Sequence, residues 1–166
     1  MKNSTYLIIV ITTAMGLVAL ATPAIALECG NVGTDWVTQP DDTADANATA
    51  CGDGSVAGGD GSTAIGNQSS SPGTSSVAIG PSTNAAGTYA VALGFSASAQ
   101  TTETVGIGGY ADAAGWRSIA IGGRTTTLAR YDVALGAYAF AQGDAATALG
   151  YRAYADQPYS IVLGSI

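Results

Sequence analysis

The sequence predicts an all-β fold, a parallel β-roll solenoid wound from coils of fourteen residues. Three observations predict it. A glycine returns in one phase at Gly52, Gly66, Gly80, Gly94, Gly108, Gly122, Gly136, Gly150 and Gly164. Each is preceded by an apolar, small, apolar triplet, as in Val77-Ala78-Ile79-Gly80, Val91-Ala92-Leu93-Gly94 and Ile119-Ala120-Ile121-Gly122. Three and five residues after it come small side chains, such as Ala97 and Ala99, or Ala139 and Ala141. A fixed period of this kind marks a repeat architecture, in which each unit is one supersecondary element stacked on the next.

Taken in order, residues 1–26 read as an export signal. Lys2 gives a short basic start, Tyr6 to Leu20 is an apolar run, and Ala24-Ile25-Ala26 fits a small-x-small cleavage site. The mature chain would begin at Leu27, and it shows no second hydrophobic segment. Glu28 before Cys29 does not fit a lipoprotein box. Residues 27–48 hold Trp36, Pro40 and the acidic stretch Asp41-Asp42-Thr43-Ala44-Asp45, with no visible fourteen-residue phase. They are expected to form an irregular N-terminal cap, because the end coil of a solenoid exposes unpaired backbone.

The roll occupies residues 49–166, about nine coils. In each, the β-branched residue three before the glycine and the Ile or Leu one before it share one side of a short strand, since side chains alternate. That side is expected to be the interior. The alanine between them, from Ala50 through Ala148, would lie on the second face and pack closely against a neighbour. A second glycine often follows seven residues on, at Gly59, Gly73, Gly87, Gly115 and Gly143. Two turns per coil, each with a glycine to adopt positive φ, would split the coil into a large-residue strand and a small-residue strand. A core this thin leaves the single chain marginal, and the alanine column then predicts side-by-side packing of identical chains.

Composition narrows the function. The chain carries twelve acidic residues against five basic ones, a net charge of −7 that becomes −8 once Lys2 is removed. That balance disfavours nucleic acid and anionic membrane as partners. With no histidine and no carboxylates paired at a fixed phase, a nucleophile–base–orienter set cannot be assembled, so no enzyme and no cofactor are expected. The glycine-rich runs lack the lysine and helix of a phosphate loop. Asp53 and Asp60 lie in glycine-rich turns, but the Asp column ends after two coils, which argues against a calcium roll. Thr74, Thr88 and Thr102 form a threonine column too short for an ice-binding face. Cys29 and Cys51 leave two readings open, a disulfide joining the cap to the first coil, or Cys51 as a small buried side chain in the Ile/Leu phase.

The repeat resembles the YadA-like head of trimeric autotransporter adhesins. The residues that carry the resemblance are Ser76-Val77-Ala78-Ile79-Gly80 with Asn84-Ala85-Ala86-Gly87, and Tyr131-Asp132-Val133-Ala134-Leu135-Gly136 with Tyr138-Ala139-Phe140-Ala141-Gln142-Gly143. Asn47-Ala48-Thr49-Ala50-Cys51-Gly52-Asp53-Gly54 looks like the lead-in of such heads. The resemblance implies a left-handed β-roll, a homotrimer, display on or outside a bacterial-type cell, and adhesion to a host or matrix protein or glycan. Family members continue into a coiled-coil stalk and a membrane barrel, and the chain reaches Leu163-Gly164-Ser165-Ile166 without either. Two expectations follow, a piece of a longer adhesin or a secreted head. The alternative function is a structural subunit that stacks end to end into an extracellular fibre.

Specificity is expected at the variable positions. Two residues after the glycine, successive coils carry Tyr110, Arg124, Tyr138 and Arg152, which can form a cation–π ladder. Nine after it stand Tyr89, Glu103, Arg117 and Tyr131; eight after it, Trp116 precedes Arg130; four after it, Phe140 precedes Tyr154. Earlier coils carry Ser, Thr, Asn and Gln in these columns. Tyr110, Arg124, Tyr138, Arg152, Arg117, Tyr131 and Trp116 are therefore the candidate ligand-binding surface, beside the plainer reading that they stabilise the ladder.

Overall fold

The computed structural model describes residues 47–164 in full and the backbone of two further strands, Leu27–Cys29 and Thr43–Ala44. The expected export signal lies outside the described residues. The chain winds into a parallel β-solenoid with two sheets. In sheet A, the triplet strands from Thr49–Cys51 to Ile161–Leu163 stack in register: Val105 pairs with Val91 on one side and Ile119 on the other. In sheet B, the two-residue strands from Asn84–Ala85 to Tyr154–Ala155 stack likewise, and bridges through Ser70 carry the ladder back to Val56–Ala57. Paired residues in sheet A are fourteen apart, so each coil supplies one strand to each sheet. Eight turns at about 4.8 Å make a roll roughly 40 Å long.

The interior is the reverse of the sequence expectation. Ala50, Ala64, Ala78, Ala92, Ala120, Ala134 and Ala148 are fully buried inside the coil. The flanking β-branched and Ile/Leu residues point outward and stay half-exposed, with Ile65 and Ile121 at 37% and Leu93 at 40%. The reason is width. A three-residue strand and a two-residue strand closed by tight turns bring the sheets so near that only small side chains fit between them. At Gly106, which takes the alanine position in one coil, a Cβ would stand within 3.0 Å of the Ser98 carbonyl oxygen from the opposite sheet. Large side chains have room only outside. The face available to a second copy is therefore the Val/Ile/Leu stripe of sheet A, and the alanine column is not.

Sheet B obeys the same rule, with Ala85, Ala99, Ala113, Ala141 and Ala155 buried. Serines and threonines complete the interior by hydrogen-bonding within it. Thr104 Oγ1 donates to the Thr101 carbonyl at 2.6 Å, and Ser118 and Thr127 join their hydroxyls at 2.7 Å. One ionisable group sits there as well. Asp132 is fully buried and accepts from the backbone N–H of Ala129 at 2.9 Å and of Ala146 at 3.0 Å. Desolvation pushes its carboxyl above the usual range, against those backbone donors.

The two glycine columns do different work. Gly94 has φ +130°, a conformation that L side chains rarely adopt, and its equivalents from Gly66 to Gly150 share it. The glycines seven residues later are not at positive φ. Gly87 is there because a Cβ would collide with the Thr101 carbonyl one coil on. Close stacking, rather than the expected positive-φ turn, fixes that column.

Two short strands are described within the expected cap, and the rest of residues 30–46 lies outside the described residues. Leu27–Cys29 joins sheet A, with Leu27 opposite Thr49 and Cys29 opposite Cys51, and Thr43–Ala44 pairs with Val56–Ala57. Leu27-Glu28-Cys29-Gly30 is itself an apolar-x-apolar-Gly phrase, 22 residues ahead of its partner instead of fourteen.

Candidate functional site

The variable side chains gather on the two turn edges of the roll, and their backbone explains why they project. The residues two and nine after each main glycine are left-handed: Tyr110 (φ 59°), Arg124 (56°), Tyr138 (58°) and Arg152 (55°) on one edge, Glu103 (57°), Arg117 (55°) and Tyr131 (61°) on the other. Left-handed backbone lets each of their N–H groups reach the coil before. Arg124 N donates to the Gly109 carbonyl at 2.8 Å, and Tyr131 N to Trp116 at 2.9 Å. Gly54 (66°) and Gly61 (67°) fill these columns in the earliest coils. A non-glycine residue at positive φ is strained by about 1–2 kcal/mol. Sequence periodicity finds the columns but not this conformation.

On the first edge Arg124 lies over the Tyr110 ring at 5.2 Å, and Arg152 lies over Tyr138 at 5.8 Å and Tyr151 at 5.1 Å. The recorded contacts are thus two separate cation–π clusters rather than one alternating ladder. Phe95 packs edge-on against Tyr110 and Tyr138 against Tyr151, with centroids at 5.2 and 6.0 Å. Phe95 and Tyr151, both one residue after a main glycine, are participants the sequence reading missed. Their signal was an aromatic residue one position after the glycine in those two coils.

The opposite edge is electrically different. Arg117 grips Glu103 with two hydrogen bonds, Nε to Oε2 at 2.7 Å and Nη2 to Oε1 at 3.1 Å. Arg130 donates from Nη2 to Asp144 Oδ2 at 2.6 Å. The hydrogen bond that Arg117 donates to Glu103 raises the Arg117 pKa, and the hydrogen bond from Arg130 holds the Asp144 carboxyl below its ordinary value. Trp116 contacts Tyr131 edge-on at 5.2 Å and carries Arg117 over its ring at 4.4 Å. The side-chain contacts in these columns are a Trp116–Arg117–Tyr131 cluster and an Arg130–Asp144 pair. The latter was legible as opposite charges fourteen residues apart. On the outer face of sheet B, Phe140 stacks on Tyr154 at 5.3 Å and 10°, and Gln142 Nε2 donates to Tyr154 Oη at 2.8 Å.

Among the described residues, no group of three His, Cys, Asp or Glu side chains could hold a metal ion. Among them, too, no helix is long and apolar enough to cross a membrane. Cys29 and Cys51 are brought into register as strand neighbours.

The described residues define a repetitive parallel β-solenoid with small side chains inside and large ones outside. The family model described as the YadA head domain repeat matches residues 46–69, 71–97, 113–139 and 141–165, more than half of the chain. The chain belongs to the YadA head repeat family, one of surface-exposed adhesins rather than enzymes. Among solved structures, the collagen-binding domain of the Yersinia adhesin YadA is similar at 27% identity, over 72% of this chain and 59% of that one, with a TM-score of 0.45. The chain thus spans less than two thirds of that domain's length. No protein of curated function matches it.

Proposed function

We propose that the chain is the head of an extracellular adhesin, working as a homotrimer that attaches to cells or matrix through many weak contacts at once. The observation that carries this reading is the run of YadA head repeats over most of the roll. Two surfaces support it. The outward stripe of sheet A, with Ile65, Leu93, Ile121 and Leu149 all more than a third exposed, is an apolar face that association would cover. The aromatic and arginine edges supply the side chains that dominate contact energetics. Three heads held together raise the effective concentration of each weak site, so avidity can exceed any single affinity by about 10²–10⁴.

Light scattering on the exported protein tests the assembly, and capture on collagen-coated and cell-coated surfaces tests the attachment. The reading expects a discrete trimer that is retained. Ile121→Asp, placed on the stripe, should yield folded monomers with attachment reduced about a hundredfold or more. Monomeric wild-type protein, or a monomeric variant that attaches as well as wild type, refutes it. Filaments of varied length by electron microscopy would favour the fibre instead.

A further inference from the structure

The four arginines of the roll are not equivalent. Arg117 and Arg130 are neutralised by Glu103 and Asp144 on one edge. Arg124 and Arg152, both exposed, have no carboxylate partner among the described residues, and both stand on the other edge in one column. They are two coils apart, about 10 Å along the roll axis. From Gly94 to Arg152 the two columns of this edge hold Phe95, Ser96, Gly109, Tyr110, Gly123, Arg124, Ala137, Tyr138, Tyr151 and Arg152, and no acid. An acidic chain therefore carries one locally cationic edge.

A second observation concerns the column beside the arginines. Gly109 and Gly123 are not at positive φ, so no turn requires them. No backbone crowds them either: a Cβ at Gly109 would meet nothing within 4 Å, and one at Gly123 only the Gly109 carbonyl at 3.9 Å. Other coils place Asn67, Pro81, Phe95 and Tyr151 at this position. With Ala137 they leave an open floor across three successive coils, ended by Phe95 and Tyr151. The fold gives no reason for that floor, whereas a ligand lying along the axis does.

The rings also prepare the cations. A tyrosine ring covering one face of a guanidinium restrains its flexible stem and leaves the N–H rim outward, the arrangement that grips a planar or tetrahedral oxyanion with two parallel hydrogen bonds. We propose that the edge formed by Tyr110, Arg124, Tyr138, Tyr151 and Arg152, with its floor at Gly109, Gly123 and Ala137, is a track for a linear sulfated polysaccharide. The track is straight, one side chain wide and cationic at a regular interval. A polymer carrying anionic groups at intervals along an extended chain can meet both arginines at once, and the tyrosines offer rings and hydroxyls to the sugar between. This rests on the adhesin reading and names the ligand class of one of its surfaces.

Heparin and its fully desulfated form, immobilised in parallel with collagen, test it on the full-length exported protein. Wild type should bind heparin in a salt-sensitive manner and ignore the desulfated polymer. Arg124→Ala/Arg152→Ala should weaken heparin binding by about tenfold or more and leave the circular dichroism spectrum and collagen retention unchanged. Arg117→Ala/Arg130→Ala removes the same two positive charges and should change heparin binding by less than about twofold. Gly123→Gln, which obstructs the floor without touching a cation, should also weaken it. Equal losses in the two double variants mean that net charge alone is at work and overturn the proposal. So does a wild type that binds collagen but not heparin, which leaves the adhesin reading intact. Stronger competition by a tyrosine-sulfated peptide than by heparin overturns the polysaccharide class.

Discussion

Replacing Gly106 by alanine sets the structure against the repeat consensus. Every other coil from Ala50 to Ala148 carries alanine at this position, so repeat logic expects the change to stabilise. Restricting the unfolded chain would by itself contribute about 0.4–1 kcal/mol. The structure expects the opposite. The new Cβ would fall within 3.0 Å of the Ser98 carbonyl oxygen, a backbone atom with no rotamer through which to retreat, and Gly106 is fully enclosed. That carbonyl lies between Ser98 and Ala99, which are held in register with Asp112 and Ala113, so the strain spreads to the neighbouring coil. Overpacking of this kind costs about 1–3 kcal/mol, which leaves a net loss of about 1–2 kcal/mol. For a domain of this size that lowers Tm by roughly 3–8 °C. Thermal unfolding followed by circular dichroism reads it directly, with Ala92→Gly as a companion that should lose about 1 kcal/mol from the missing methyl and the added chain entropy. An unchanged or higher Tm for Gly106→Ala would refute the account of a coil interior only one methyl wide.

Asp132 makes stability depend on pH in an unusual direction. Its carboxyl is raised by burial, so the folded state holds its proton to higher pH than the unfolded chain does. Stability should therefore fall as pH rises from the ordinary carboxylate pKa through the folded value, and Asp132→Asn should flatten that part of the denaturation profile. An identical slope in the variant would show that the titration belongs elsewhere. The register of Cys29 with Cys51 places their Cα atoms as strand neighbours, within the separation a disulfide spans. In an oxidising compartment they are expected to pair, contributing about 3 kcal/mol. Mass spectrometry of the unreduced protein, showing two thiols instead of one cystine, would rule the pair out.

Much of the architecture was legible because a period of fourteen is visible without knowing which way any side chain points. The glycine phrase located the strands of sheet A, and the Ala-x-Ala stretches located those of sheet B. Orientation was the weak step. Alternation says that Val91 and Leu93 share a side and Ala92 takes the other; it does not say which side is interior. The habit of placing large residues inside fails when the coil is too narrow to hold them. The first strand of sheet A was hidden for a simpler reason, since its 22-residue spacing breaks the phase although Leu27-Glu28-Cys29-Gly30 keeps the phrase. On the surface, the repeat phase found Tyr110, Arg124, Tyr138 and Arg152 and set Glu103 and Asp144 one coil from Arg117 and Arg130 as opposite charges, but it did not show how the rings and guanidinium groups pack against one another.

The left-handed columns supply the sharpest discrimination between a ladder that stabilises and a surface that binds. Glycine is the residue that φ near +56° favours, and Gly54 and Gly61 show that the columns accept it. Arg124 and Arg152 occupy the same backbone, as Ser96 and Ala145 do, so what their side chains contribute can be read against glycine. If the contribution were folding stability, it would reside in the cation–π contacts, worth about 0.5–1 kcal/mol each at an exposed site. Substituting glycine relieves about 1–2 kcal/mol of strain and forfeits that contact, together with about 0.5–1 kcal/mol of chain entropy. The terms nearly cancel. Arg124→Gly and Arg152→Gly should each leave Tm within about 4 °C of wild type while removing anion binding along the edge. A Tm loss well beyond that, with polysaccharide binding intact, would mean that the arginines brace the roll and the binding surface lies elsewhere. Near-neutral stability with lost binding would mean that the backbone is strained for display, which is where stored strain is expected, at a site of function.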